Sequence, residues 1–466
     1  MPDLTEILKP RRKFIINLIF FFLSIITVVV IWPREMNDTW FEILGSIIVV
    51  SSCYMVLYLF LNIFRPEILE VTRKTFFIIL IIITFIVLTR VVVSFYDHSI
   101  LFLIPFAVIP IVISAFYDER LALFILLVTI MLAGFIVPNP FEFIFMNFIS
   151  GVLAIFSMMN IYRRAKLLFS SLVVVFSYSV IYFAINIINT ESIANLNWAE
   201  YKWFLGNGII VLLSYPLIFL FEKEFLFLSD STLLELSDTN QPLLRRLAEE
   251  APGSFQHSRQ VANLAEEASR AVGANLLLTR VGALYHDVGK VINSEYFIEN
   301  QAKDYSPHHD LGPLESSKVI IKHVDEGVDI ARKYKLPIQI IDFIRTHHGT
   351  TKAYYFYKKY LEKNQRSNDI EKDFVYPGPK PFSKEMAIVM MADAVEASSR
   401  TLESYTEFTI SELVERIFII QEQDDQFSDA PLTFKDISDI KSVFKKRLQN
   451  IYHARIAYPE RDIKQD

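Results

Sequence analysis

Tyr285-His286-Asp287-Val288-Gly289-Lys290 is the stretch on which the reading of this chain turns. An adjacent His-Asp pair is weak evidence alone, because solvated helix ends produce many of them. Here the pair has company. His257 lies upstream, and His323, the pair His347-His348 and Asp393 lie downstream, all separated by segments that read as helices. Five His and two Asp carried on helices can converge in one bundle and hold two metal ions.

The helical reading comes from spacing. Ser254 is placed as an N-cap, and Val261, Leu264, Ala265 and Ala268 fall on the same side as His257 before Gly273 stops the helix. Asn275 caps the next helix, with Leu277, Val281 and Leu284 facing inward and His286-Asp287 near its end. If that helix continues, His286 and Lys290 share a face. His323 lies in an apolar segment from Ser316 to Glu326. Ile338 to Ile344 delivers His347 and His348 before Gly349. Neighbouring helical residues point roughly 100° apart, but at a fraying end both can reach one site. Asp393 follows Ile388, Met390 and Met391, with Glu396 and Arg400 further along its face.

The other four of the nine His fall elsewhere: His98 in an external loop, His308-His309 in a Pro-containing loop, His453 near the end. The single cysteine, Cys53, sits in an apolar run and excludes a disulfide framework or a thiolate site. Imidazole and carboxylate without sulfur suit Fe, Mn or Zn and suit calcium poorly. Asp287 is the natural bridge between two ions. Two ions about 3.5–4 Å apart lower the pKa of a shared water and clamp the oxygens of an in-line displacement. The chemistry expected is hydrolysis of a phosphate ester.

The chain is 52% hydrophobic with a net charge of −6, and the apolarity is uneven. Residues 14 to 222 are nearly free of charge over long windows; residues 223 to 466 have ordinary soluble composition. A hydrocarbon core roughly 30 Å thick needs about 20 apolar residues of helix. Eight segments qualify, 14–32, 40–64, 74–95, 99–116, 121–137, 141–161, 167–189 and 204–222. Lys9, Arg11, Arg12, Lys13, Arg65, Arg73, Lys74, Arg120, Arg163, Arg164 and Lys166 fall in one set of alternate loops, against Arg34 and Lys202 in the other. That asymmetry puts the N-terminus in the cytoplasm, and eight crossings return the chain there. Pro105 and Pro110 interrupt the fourth segment.

The expected fold is all-α: a polytopic transmembrane helical bundle over 1–222, connector helices over 223–252, and a cytoplasmic all-helical domain over 253–466. The lipid bilayer is the partner of the first part, and mutual packing of membrane helices is compatible with a homodimer. The acidic balance argues against a nucleic-acid polymer as partner. The connector is either a packed linker or an element coupling membrane state to the site.

At these residues the chain resembles the HD phosphohydrolase superfamily, and more closely the 7TM-HD group of membrane-bound cyclic di-AMP phosphodiesterases, the PgpH type. The matching stretches are Ala251-Pro252-Gly253 with His257-Ser258, His286-Asp287-Val288-Gly289-Lys290, Phe297-Ile298-Glu299-Asn300-Gln301 and Ser306-Pro307 with His309-Asp310. Further on come Ile320-Ile321-Lys322-His323-Val324, Thr346-His347-His348-Gly349-Thr350 and Ala392-Asp393-Ala394-Val395-Glu396-Ala397.

The resemblance implies hydrolysis of cyclic di-AMP to the linear dinucleotide at a di-iron or di-manganese centre in the plasma membrane. It implies that His257, His286, Asp287 and Asp393 hold one metal, and that Asp287, His323, His347 and His348 hold the other. Lys290 would act beside the scissile phosphate as charge stabiliser or general acid. Glu396 would orient a ligand, or simply pair with Arg400, itself a candidate substrate contact. His309 would approach substrate, and Tyr354 and Tyr355 would offer adenine a stacking face.

Two departures stand out. The family usually carries a large extracellular domain between its first two membrane helices, where this chain has only Pro33 to Thr39. No Gly-Tyr-Pro follows the His pair, which argues against the HD enzymes that cleave cyclic di-GMP. Three other readings stand beside the first: an HD hydrolase of another cyclic dinucleotide or nucleotide, a receptor that binds nucleotide without cleaving it, and a transporter.

Overall fold

The computed structural model describes residues 4–33, 39–158, 165–194, 196–301, 306–362, 364 and 368–453. Arg34, Arg163 and Arg164, used above for orientation, lie outside the described residues. The chain divides into two compact units, Met1–Asp230 and Ser231–Asp466. Both are helical. Among the described residues there is no strand, only an isolated antiparallel bridge between Lys352 and Val375.

In the first unit, seven helical stretches among the described residues are long and apolar enough to cross a membrane. They are Lys13–Ile31, Trp40–Phe64, Thr72–Phe95, His98–Phe116, Pro140–Met158, Leu167–Thr190 and Trp198–Phe225. Large apolar side chains stay exposed along them, including Phe22, Ile48, Phe176 and Phe219. Water would penalise so broad an apolar surface, and lipid does not. This is a multi-pass membrane protein. The expected segment 121–137 forms the helix Glu119–Gly134, whose 16 residues rise only about 24 Å. It is more deeply buried than the others, with Leu121, Ile125, Leu126, Ile130 and Leu132 all inside the bundle.

Proline has the effect foreseen in the fourth segment. A 3₁₀ turn His98–Leu103 precedes Pro105, and the α-helix resumes at Val108. The freed carbonyls find a side chain: Asn207 Nδ2 donates to Phe102 O at 2.8 Å and to Ile104 O at 3.1 Å. Broken helix within a membrane requires such internal satisfaction.

The second unit takes in most of the connector. The helix Pro242–Glu250 buries Leu243, Leu244 and Leu247, so this segment is packed rather than loose. The Tyr285 hydroxyl donates to Leu236 O at 3.1 Å, which ties the connector to the residue before His286. Long helices Pro252–Val272, Pro313–Lys333, Lys384–Ser399, Glu407–Gln423 and Phe434–His453 frame the core. Phe343, Phe374, Phe418 and Phe444 fill it.

One local expectation changes, and one condition is not met. Ser254 is not the N-cap: the helix starts at Pro252, whose missing N–H suits a first position, and Ser254 lies one turn in. The helix Leu276–Tyr285 stops before His286, and a 3₁₀ turn Val288–Val291 follows, so His286 and Lys290 do not share a continuous helical face. Asn275 and Gly273 act as read. Asn275 Oδ1 accepts from Leu278 N at 3.0 Å, and Gly273 has φ +68°.

Candidate metal centre

The break after Tyr285 creates the centre. Asp287 leaves helical geometry at φ −105°, ψ 13°. The turn it begins lies so close to the helix Pro313–Lys333 that a Cβ on Gly289 would stand 1.9 Å from the His323 carbonyl oxygen. Only glycine permits that approach. Asp287, fully buried, is thereby held between two groups of imidazoles.

On one side stand His257 and His286. His257 Nε2 lies 2.8 Å from Asp393 Oδ1 and 3.6 Å from Asp287 Oδ2. His286 Nε2 lies 3.2 Å from Asp287 Oδ2 and 3.7 Å from Asp393 Oδ1. On the other side, His323 Nε2 and His347 Nε2 stand 3.4 and 3.6 Å from Asp287 Oδ1. His348 completes this group, its Nδ1 3.8 Å from Asp393 Oδ2 and its ring centroid 4.0 Å from that of His347. The helix Ile338–Thr346 has ended there, which frees both neighbours to turn inward.

A repeated device aims these rings. Nδ1 of His286, His323 and His347 lies 2.7, 2.6 and 2.9 Å from the carbonyl three residues earlier, of Ala283, Ile320 and Ile344. A carbonyl only accepts, so each Nδ1 carries a proton and each Nε2 points inward, where its lone pair serves a metal once the ring is neutral. His257 is oriented differently. Its Nδ1 pairs with Glu396 Oε2, while Glu396 Oε1 accepts from Arg400 Nε at 2.9 Å and Nη2 at 2.6 Å.

These residues fit metal ions. His323, His347 and His348 bring ligand atoms within 4.8 Å of one another, as do His257, His286 and Asp393, and His286, Asp287 and His347. His286 Nε2 and Asp287 Oδ1 are buried with no hydrogen-bond partner. Orphaned polar atoms in a dry interior are costly, and a cation would satisfy both. The donor set is nitrogen and oxygen alone, which does not distinguish among Fe, Mn and Zn.

The electrostatics are split. Burial opposes charge on His257 and His286, yet Asp393, Glu396 and Asp287 beside them outweigh it and raise these imidazoles to about 9 and about 10. Burial prevails at His347, taking it down to about 4, and at His348, which falls well below the ordinary range. Burial also works against the Asp287 and Asp393 charges, but the neighbouring imidazoles, with Lys290 at Asp287, hold both carboxyls well below the usual value.

Lys290 bridges Asp287 Oδ2 and Glu299 Oε1, at 2.8 Å from each. Ser254 Oγ donates to the same Glu299 oxygen at 2.8 Å. Glu299 has no periodic pattern around it, and its pairing was invisible in the sequence. The same holds for Tyr376, a buried loop residue whose ring centroid lies 4.2 Å from that of His348. The substrate candidates are exposed: His309 in the turn Pro307–Asp310, and Tyr354 and Tyr355 at the start of the helix Tyr354–Leu361. Arg400 is the partner of Glu396.

Comparison with known proteins bears on this centre directly. Residues 40–229 match the family described as a 7TM receptor with intracellular HD hydrolase, and residues 254–398 match the HD domain. The chain belongs to the 7TM-HD family. The cyclic-di-AMP phosphodiesterase PgpH of Bacillus subtilis (strain 168) is 40% identical over 317 residues, 67% of this chain and 44% of that protein. PgpH of Listeria monocytogenes serotype 1/2a is 36% identical over 314 residues, again 67% and 44%. The chain thus spans under half the length of these 7TM-HD relatives. The solved HD domain of L. monocytogenes PgpH in complex with cyclic-di-AMP is 41% identical. That match covers 47% of this chain and 100% of the solved one, at a TM-score of 0.45.

Proposed function

We propose that this 7TM-HD protein is a membrane-anchored, metal-dependent phosphodiesterase that hydrolyses cyclic di-AMP to the linear dinucleotide. The observation that carries the reading is the convergence of six buried or half-buried His and Asp side chains around Asp287. The 36–40% identity to two proteins named as cyclic-di-AMP phosphodiesterases supports the substrate.

His257, His286, Asp287 and Asp393 would hold one divalent ion, and Asp287, His323, His347 and His348 the other, with iron or manganese as the expected metals. Such ions supply a water of lowered pKa and a clamp on phosphate oxygens. In the reaction a water oxygen bonds to phosphorus, one ribose oxygen leaves, and that oxygen takes up a proton.

Asp287 fixes the spacing of the two imidazole groups. The backbone carbonyls behind His286, His323 and His347 keep their lone pairs aimed at the centre. Glu396, locked by Arg400, holds His257. Asp287 and Glu299 raise the Lys290 pKa against the effect of burial. A base that holds its proton so firmly is a poor general acid, so we assign Lys290 to stabilising negative charge on the phosphate. Arg400 is committed to Glu396, which places it behind the site. His309, Tyr354 and Tyr355 remain the proposed substrate contacts.

The Lys and Arg asymmetry supports an N-terminus and an HD unit in the cytoplasm, with Glu119–Gly134 counted as a crossing. The substrate reading is tested by offering the purified protein cyclic di-AMP and cyclic di-GMP in competition, with Mn or Fe. Preferential loss of the adenine compound is expected. Equal cleavage of both would widen the substrate class, and tight binding without product would make the chain a nucleotide receptor.

A further inference from the structure

The first unit contains a cavity of about 270 Å³ that the HD chemistry does not use. It lies where the stretch Leu167–Thr190 ends, His98–Phe116 and Trp198–Phe225 begin, and Glu119–Gly134 turns into Pro140–Met158. Two carboxylates, Glu142 and Glu200, line it, together with the amides of Asn186 and Asn189 and the rings of Phe102 and Tyr182. No Lys or Arg is among its lining residues.

Glu200 is the informative group. It is only 8% exposed, in the 3₁₀ turn Trp198–Glu200. One oxygen is anchored: Oε1 accepts from Ser99 Oγ at 2.8 Å and Asn197 Nδ2 at 2.9 Å. The other oxygen, Oε2, is buried with no partner. A carboxylate oxygen withdrawn from water and left unpaired costs free energy until a donor reaches it. The two anchoring bonds favour the orientation that leaves Oε2 unpaired.

We infer that this cavity binds a small organic cation through an ammonium group held by Glu200 and Glu142. Ammonium supplies the N–H donors that Oε2 lacks and the positive charge that two carboxylates favour. The Phe102 and Tyr182 rings lie edge to face at 6.0 Å and offer walls for an apolar body or for the cation itself. A divalent metal fits less well. Among the described residues, no trio of His, Asp or Glu at this cavity brings ligand atoms within 4.8 Å of one another, whereas calcium demands about six to eight close oxygens. The volume falls below the roughly 300 Å³ at which drug-sized pockets begin, so the ligand is small.

The test uses the full chain in lipid nanodiscs, with tyramine as the cation and 3-(4-hydroxyphenyl)propanoate as the matched anion. Calorimetric titration should show saturable tyramine binding and none for the anion, after subtraction of empty nanodiscs. Glu200→Gln and Glu142→Gln should each weaken tyramine binding about tenfold or more, as expected for loss of a charged hydrogen bond. Gln at position 200 can still accept from Ser99 and Asn197, and Glu142→Gln carries the test if that variant does not fold. Failure of the wild type to bind tyramine would overturn the inference. So would undiminished binding by a folded variant, equal binding of the anion, or displacement of tyramine by millimolar magnesium.

Discussion

Lys290 and Glu299 form a largely buried ion pair, with Nζ 2.8 Å from Oε1, although they lie on separate 3₁₀ turns. The ammonium thus faces Asp287 on one side and Glu299 on the other, over the ring of Phe297 at 5.0 Å. It is positioned by its surroundings rather than by its own helix.

Removing that charge should harm turnover more than binding. Lys290→Ala is expected to lower kcat by about 10²–10³-fold, the usual scale for losing one preorganised charge at a reacting group. Lys290→Arg should not restore it, because a planar fork cannot occupy the space of a point charge between two carboxylates. Glu299→Gln should lower kcat by about 10–100-fold with metal content unchanged. Steady-state kinetics with metal analysis decides. An unchanged kcat in Lys290→Ala would remove Lys290 from the reaction.

Glu396 should act on metal affinity. It pairs with His257 Nδ1 and is itself held by Arg400. Glu396→Gln is expected to weaken metal binding at the His257 side by about 10–100-fold. Metal titration of chelator-treated protein measures this. Arg400→Ala should give a smaller loss in the same direction, and a loss of substrate affinity alone would instead support Arg400 as a substrate contact.

Proton release should accompany metal binding. His257 and His286 are raised to about 9 and about 10, so both are charged at pH 7, whereas His347 and His348 are neutral. Metal coordination needs neutral imidazole. Binding at pH 7 should therefore expel about two protons, and affinity should fall as pH falls. Calorimetry in buffers of differing ionisation enthalpy reads this number, and a value near zero would refute the assignment. The same shifts mean that His257 and His286 stabilise the chelator-treated fold fully below about pH 6.5. That stabilisation is lost as pH rises through 9 and 10.

Gly289→Ala should destabilise the HD unit. Its Cβ would meet a backbone carbonyl, that of His323, and not a movable side chain. A cost of at least about 1–3 kcal/mol is expected. Thermal unfolding of the purified protein should show a lower melting temperature and lost metal binding. A variant with wild-type stability would show that the turn and the helix Pro313–Lys333 can part without cost.

The sequence made the centre legible where chemistry and helical spacing coincide. His257 and His323 sit on long amphipathic helices whose inward faces are plain from their apolar neighbours, and Asp393 follows an apolar run on a helix that is buried nearly all round. The membrane half was legible for a similar reason, since runs of about 20 apolar residues have few alternatives. What stayed hidden depends on contacts remote in sequence or on irregular backbone. Glu299 meets Ser254 across 45 positions, and Tyr376 reaches His348 from a loop. The sequence places His286-Asp287 near the end of its helix but leaves open whether the helix runs on to Lys290, because Val288 and Val291 continue the apolar pattern while the backbone leaves helical geometry at Asp287. Glu200 carries no pattern that singles it out in the sequence, and only the fold buries it.

Metal-dependent hydrolysis of cyclic di-AMP is read out by product chromatography after incubation with the protein. The samples are the wild-type protein with Mn or Fe, the same protein with chelator, and Asp287→Asn with metal restored. Linear di-adenylate is expected from the first sample alone. Equal product in the presence of chelator, or from Asp287→Asn, would contradict metal-dependent hydrolysis at this centre.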